Sequence, residues 1–460
     1  MNGFGVLAVS GTLQLEGWGS ITGGTLTDAG GGTIESSGGG GGTLNGVAIS
    51  SGSSYAVSNA SQATLEGTIV NNGELFVDAT NSTATVNIAS SGATLSGTGT
   101  VVLSNNANNA ITGSSGAELA NASDTIEGSG QIDGLAALDN QADGTIDATQ
   151  STALQIFSIA TLTNEGLVEA TNGGTLELTD ITLTQNKGGA DGSVEAVGSN
   201  SSLQLSGATI VGGTLTASAG GVVESVGGNG AQLDGVTIST GTTFTDSNNS
   251  SLTLSGTITN NGEILVDATS GTSELNASSA GATLTGGGTV VLSNSIDNGV
   301  TGATGSQLVN INNAIEGSGQ IDGLAALDNQ AEGTIDANQS TALQIFSITT
   351  LTNEGLVEAT NGGTLELTDT ALTQNKGGAD GNVEASGSGS SVQLSGATIV
   401  GGTLTTSAGG VIKSVGGNGA QLDSVTISTG STFTDSNNSS LTLSGTITND
   451  GEILDPALTP

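Results

Sequence analysis

The sequence predicts an all-β fold: a right-handed parallel β-helix (β-solenoid), a single elongated rod of roughly twenty coils. Three observations lead there. The first is alternation. In SLTLSGTITNNGEILVD (251–267), Leu252, Leu254 and Ile258 fall on every second place, interrupted at Gly256, so one face of an extended chain is apolar and the other polar. Asn260, Asn261 and Gly262 then supply a tight turn before Ile264, Leu265 and Val266 resume the apolar strand, because Asn-Gly reaches positive φ at little cost. The second is repetition, since variants of this phrase recur along all 460 residues. The third is punctuation: there are 78 glycines but only two prolines, Pro456 and Pro460. Proline cannot donate to a β ladder, so its exclusion fits a backbone paired almost throughout.

Repetition sets the organisation. IEGSGQIDGLAALDNQ begins at Ile126 and again at Ile315, an offset of 189 residues that also links Ile21, Ile210 and Ile399. The chain therefore reads as residues 1–20, the tail of a preceding copy with one residue inserted near Trp18; copies at 21–209 and 210–398; a partial copy at 399–454; and a non-repeat tail at 455–460. Differences between copies fall mostly on polar or small sites, such as Glu224/Lys413 and Asn261/Asp450. Leu205/Leu394, Leu233/Leu422, Ile238/Ile427 and Ile258/Ile447 keep their identity, which marks them as inward-facing.

Within each copy run shorter coils of uneven length. Leu154, Leu176, Leu203, Leu233 and Leu252 each open a phrase, with gaps of 22, 27, 30 and 19 residues. The longer coils carry loops such as TQNKGGADG at 184–192. Parallel crossovers are right-handed, and strands ~4.8 Å apart give a rod on the order of 100 Å long. Asn and Thr at the corners are expected to form side-chain ladders that satisfy turn backbone. The aromatics Tyr55, Phe244 and Phe433, related by the offset, and Phe157 and Phe346, are expected to plug the coil interior, where rings bury most. The open coil ends lead to the expectation that the chain is part of a longer one, with end-to-end self-association as the alternative.

Composition narrows the function. The abundance of Gly, Ser, Thr and Asn would suit disorder, but a mean hydropathy of +0.08 and the alternation argue for order. Net charge is −39, with Lys187, Lys376 and Lys413 the only cations. Such a surface repels nucleic acid and anionic membranes and attracts divalent cations or basic partners. No apolar run approaches a membrane span, and the absence of cysteine leaves the redox compartment open. The start, MNGFGVLAVSG, lacks the basic residue of a signal peptide.

Without His, Cys or Arg, nucleophile–base pairs, zinc sites and phosphate clamps cannot be assembled, and the chain reads as non-enzymatic. Carboxylate pairs of the glycoside-hydrolysing kind remain conceivable. The richest acidic cluster, QIDGLAALDNQADGTID, holds Asp133, Asp139, Asp143 and Asp147, repeated as Asp322, Asp328, Glu332 and Asp336. These are read first as solvated corner residues and second as calcium ligands, since that hard cation gathers oxygens. GGNGAQLDG at 227–235 has the outline of a glycine-rich calcium repeat, but Gln232 stands in place of the Asp ligand, so it reads as a plain glycine turn.

The L-x-L, T-N-x-G and G-G-T-L phrases at Leu154–Gly166, Leu252–Gly262 and Gly212–Leu215 make the chain resemble large repetitive bacterial surface proteins. These are adhesins with a β-helical passenger, of the autotransporter or filamentous-haemagglutinin type. The resemblance implies a secreted protein at the bacterial cell surface that mediates attachment, aggregation or matrix formation, with cell-surface or matrix components as partners.

Overall fold

The computed structural model describes residues 5–186, 191–375, 380–436 and 438–455. No described residue is helical. The chain divides into two compact units, Met1–Glu224 and Ser225–Pro460, each of them a parallel β-solenoid, with about 19 turns in all.

In the first unit a coil has three sides, and each strand pairs in parallel with the strand one coil on. The first sheet includes Val6–Val9, Thr25–Asp28, Glu118–Asn121, Ala137–Asn140, Thr161–Asn164, Thr182–Thr184 and Ala208–Val211. The second includes Thr100–Leu103, Thr125–Gly128, Thr145–Ala148, Leu167–Ala170 and Ser193–Val197. The third includes Gly19–Thr22, Gly42–Asn45, Gly130–Asp133, Leu154–Phe157, Thr175–Thr179 and Ser202–Ser206. Alternation fixes which face turns in, because successive side chains of a strand point to opposite faces. Leu154, Leu176 and Leu203 stack directly on one another in register and are fully buried. In the second unit Leu233 pairs with Leu254, with Leu252 opposite Ala231. That coil is therefore two residues longer than the phrase spacing suggests.

Tyr55, Phe244 and Phe433 fill the interior as expected. Phe157 and Phe346 do not. Each ends a strand of sequence Leu-Gln-Ile-Phe in which Leu and Ile face in, so parity alone turns the ring outward to a half-buried position. Corners are not always loops. Ser250–Asn260 is one strand serving two sheets, with its register broken between Leu254 and Gly256. Gly256 makes that bend at φ 65°, a left-handed conformation that favours glycine. The stretch 227–230 is the plain glycine turn expected, closed by Gly230 N donating to the Gly227 carbonyl at 3.2 Å. The loop expected at 184–192 lies partly outside the described residues.

The 189-residue repeat is not a whole number of coils. Ile21 lies on the third sheet of the first unit, yet its equivalent Ile210 lies on the first sheet. Within the second unit, Leu233 belongs to the sheet that contains Leu343–Phe346 and Thr364–Thr368. Its equivalent Leu422 belongs to the neighbouring sheet with Thr350–Asn353 and Ala371–Thr373. Each copy thus advances by whole turns plus one side.

One interior corner is polar. Asn121, Asn140, Asn164 and Gln185 are fully buried one above another. Asn121 Nδ2 donates to Asn140 Oδ1 at 2.8 Å, Asn140 to Asn164 at 2.8 Å, and Asn164 to Gln185 Oε1 at 3.4 Å. The same amides donate to turn carbonyls, as Asn140 does to Gly144 at 3.1 Å and Leu167 at 3.0 Å. The second unit repeats the ladder with Asn310, Asn329, Asn353 and Gln374. Buried amides satisfied this way stabilise, and stranding one costs about 1–3 kcal/mol. Asn140→Ala removes the links to both neighbouring coils and is expected to destabilise the first unit by about 1–3 kcal/mol, read as a lowered urea midpoint.

Candidate functional site

The acidic cluster singled out in the sequence is spread around the coil. Asp133 ends a strand of the third sheet, Asp139 lies on the first, Asp147 on the second, and Asp143 in the exposed turn between the last two. The second copy repeats this with Asp322 just past Gly319–Ile321, Asp328 on Ala326–Asn329, Glu332 in a turn, and Asp336 on Thr334–Ala337. Only Asp143 and Glu332 are solvated corner residues. The side chains on strands point outward on three different sides, and among the described residues no group of three or more acidic side chains is placed to hold a metal ion. Asp139 and Asp328 instead accept hydrogen bonds from the hydroxyls of Thr163 and Thr352 on the next coil. A chelator is therefore expected to shift the melting midpoint by less than 1–2 °C relative to a control of equal ionic strength, since an ion bound to the native state alone must raise apparent stability.

What the coils do bring together is a different set. On the second sheet Glu127, Asp147, Glu169 and Glu195 lie in direct register, one per coil. Glu316, Asp336, Glu358 and Glu384 form the same row in the second unit. Each alternates with a buried Ile or Val, which points it outward. The third sheet handles its row differently: Gln131, Gln155, Glu177 and Gln204 set one acid among three amides, and Gln155 donates to Glu177 at 2.6 Å. The two all-acid rows have no neutral spacer. Stacked carboxylates ~5 Å apart repel by on the order of 1 kcal/mol per pair even under water-like screening.

Burial compounds that repulsion. Asp147 and Asp336 are each only 9% exposed. Asp147 takes both its hydrogen bonds from the Thr171 hydroxyl, at 2.8 and 3.1 Å. In Asp336, Oδ2 accepts from Thr360 at 2.7 Å, while Oδ1 is buried without a partner. Burial first, and then the charges of neighbouring rungs, push Glu169 and Glu358 up to about 7. Burial chiefly pushes Asp147 up to about 6, and Glu316 and Asp336 are raised for the same reason.

Sequence reasoning missed these rows, although the signal was present. Ile-Glu-Gly at 126–128, Ile-Asp-Ala at 146–148, Val-Glu-Ala at 168–170 and Val-Glu-Ala at 194–196 recur once per coil. It also missed two carboxylates inside the coils. Asp246 is fully buried, with Oδ2 held by the Ser273 hydroxyl at 2.6 Å and by Glu274 N at 3.0 Å. Asp124 is fully buried with neither oxygen partnered. Burial drives both up to about 6.

A shallow trough of about 560 Å³ runs over the first sheet of the first unit, from Gly67 and Gly92 to Thr161, lined mostly by small residues with Glu118, Leu119 and Asp139 among them. Chemically, these surfaces offer oxygen acceptors in rows and a reserve of protonatable carboxyls. No family model and no curated protein matches the chain.

The raised carboxyl groups fix the sign of the pH response. Folded values of about 6 to 7 exceed the ordinary range near 4, so the folded chain binds more protons than the unfolded one between those limits. Stability is therefore greatest below about pH 4 to 5, as far as these groups are concerned, and falls as pH rises through 7. Urea midpoints are expected to be higher at pH 5 than at pH 8, the reverse of a protein held by salt-bridged carboxylates.

Proposed function

We propose that this chain is the structural or adhesive stalk of a bacterial surface or secreted repeat protein, working outside the cell without catalysis. The observation that carries this reading is the outward row. Because each coil sits in register on the last, outward side chains form lines along the stack, so the protein offers extended surfaces and not an enclosed pocket. Long in-register rows suit a surface that must meet cell-surface or matrix components over many weak contacts, where linked sites multiply avidity. A net charge of −39 would keep such a surface soluble and select cationic partners. The β-solenoid fold and the adhesin-like phrases support the same reading.

The test has two arms. Small-angle scattering of the purified chain is expected to give the skewed distance distribution of a rod, and a compact, symmetric distribution would remove the stalk. Antibody labelling of intact, unpermeabilised producing cells is expected to decorate the surface, and labelling only after lysis would remove the extracellular assignment. Filaments that lengthen with concentration in electron micrographs would point instead to a fibre subunit stacking through its coil ends. Sugar release from acidic glycans that is lost in Asp133→Asn and Asp322→Asn would point to a polysaccharide-acting enzyme.

A further inference from the structure

Asp124 occupies a position that the second copy fills with Asn313. The backbone around the two is the same. Asp124 N donates to Asn121 Oδ1 at 3.1 Å and Asn121 Nδ2 donates to the Asp124 carbonyl at 2.9 Å, while the corresponding pair, Asn313 and Asn310, bond at 2.9 and 2.8 Å. Thr145 N and Thr334 N donate to the respective carbonyls, both at 3.1 Å. The side chains differ. Asn313 Oδ1 accepts from Asn260 Nδ2 at 2.9 Å, while its Nδ2 is buried without a partner. Asn71, the equivalent of Asn260, donates to the Thr100 carbonyl at 3.0 Å, as Asn260 does to that of Thr289 at 2.9 Å. Asn71 stands beside Asp124 and lowers its pKa by a side-chain contact of hydrogen-bonding kind, but burial outweighs that contact, and neither carboxylate oxygen meets regular hydrogen-bond geometry.

Nothing nearby neutralises a charge there. The strands around Asp124, namely Glu74–Val77, Thr100–Leu103, Glu118–Asn121, Thr125–Gly128, Ala137–Asn140 and Thr145–Ala148, contain no lysine. Their own acids, Glu74, Glu118, Glu127, Asp139 and Asp147, sit at outward positions, and Asp143 is in an exposed turn. A buried carboxylate without a counter-ion takes up a proton instead.

We propose that Asp124 is a proton-operated lock on the first unit: as a neutral carboxyl group it completes the interior corner in the manner of Asn313, and as a carboxylate it loosens that corner. The corner joins the first and second sheets, so loosening it frays the amides of Thr125 and Thr145, which bond to Gly99 and Asp124. The second unit, with Asn313 in place, lacks this lock.

Melting midpoints of the full chain, its Asp124→Asn variant and its Asn313→Asp variant at pH 5 and pH 8 test this. Asp124→Asn is expected to raise the midpoint by several degrees at pH 8 and to leave it unchanged at pH 5. Asn313→Asp is expected to lower it at pH 8 only. Carboxylate rows on the surface titrate identically in all three proteins and cancel in the differences. An equal shift at both pH values, or no shift at pH 8, would overturn the proposal, because the amide would then act through packing alone or not at all.

Discussion

The parallel, in-register pairing of each coil with the next governs everything else in this molecule. A parallel ladder places every residue beside its counterpart one coil on, at the spacing of neighbouring strands. Whatever the sequence puts at one rung meets what it puts at the next. Aliphatic residues benefit most simply: Leu154, Leu176 and Leu203 bury one another completely, and no large side chain is needed to fill so narrow an interior. Amides benefit too, since an amide both donates and accepts. Asn121, Asn140 and Asn164 form a chain of hydrogen bonds inside the corner, each also closing a turn whose carbonyls would otherwise be unsatisfied. For carboxylates the same geometry is a liability, because like charge is set on like charge with no freedom to move apart.

A repeat that advances by whole turns plus one side adds a second condition. Ile21 and Ile210 perform the same inward role on different sheets of one unit, so each side must accept the side chains of another. That favours interchangeable sides: short strands of four or five residues, Leu, Ile or Val at inward positions, and turns made by Gly and Asn. The wide use of small generic residues follows from this demand as much as from the tightness of the coil. It also means that within a unit a surface feature fixed in the repeat is not carried along one face from copy to copy.

Much of this was legible in the sequence, for reasons that mark where the rest was not. Inward leucines could be read because parity and recurrence both signal them, and the corner asparagines because turns need their amides. Size overrode parity at Phe157 and Phe346: their rings suggested the interior, but following Ile156 and Ile345 by one residue puts them outside. Asp133, Asp139, Asp143 and Asp147 looked like a cluster because they are close in sequence, yet a coil of about twenty residues distributes such neighbours over three sides. Proximity in a solenoid is measured from coil to coil. The carboxylates that do meet, Glu127, Asp147, Glu169 and Glu195, are separated by whole coils of unequal length, so no fixed spacing announces them.

Charge is where the constraint leaves choice, and the two rows resolve it differently. The third sheet surrounds its one acid, Glu177, with glutamines, and Gln155 donates to it. The first unit's second sheet keeps four acids in succession, and the equivalent row of the second unit does the same. A fold that can dilute charge with amide on one side can do so on another, as Asn313 shows at the very position where Asp124 remains acidic. Since the neutral alternative lies one conservative substitution away, the undiluted rows are not forced by the coil. They cost stability at neutral pH, which a chain held together by so many stacked aliphatic rungs can absorb, and in exchange the surface presents an unbroken line of oxygen acceptors. That concentration of acceptors, more than the pocket-like hollows, is the chemical character this protein offers to whatever it meets.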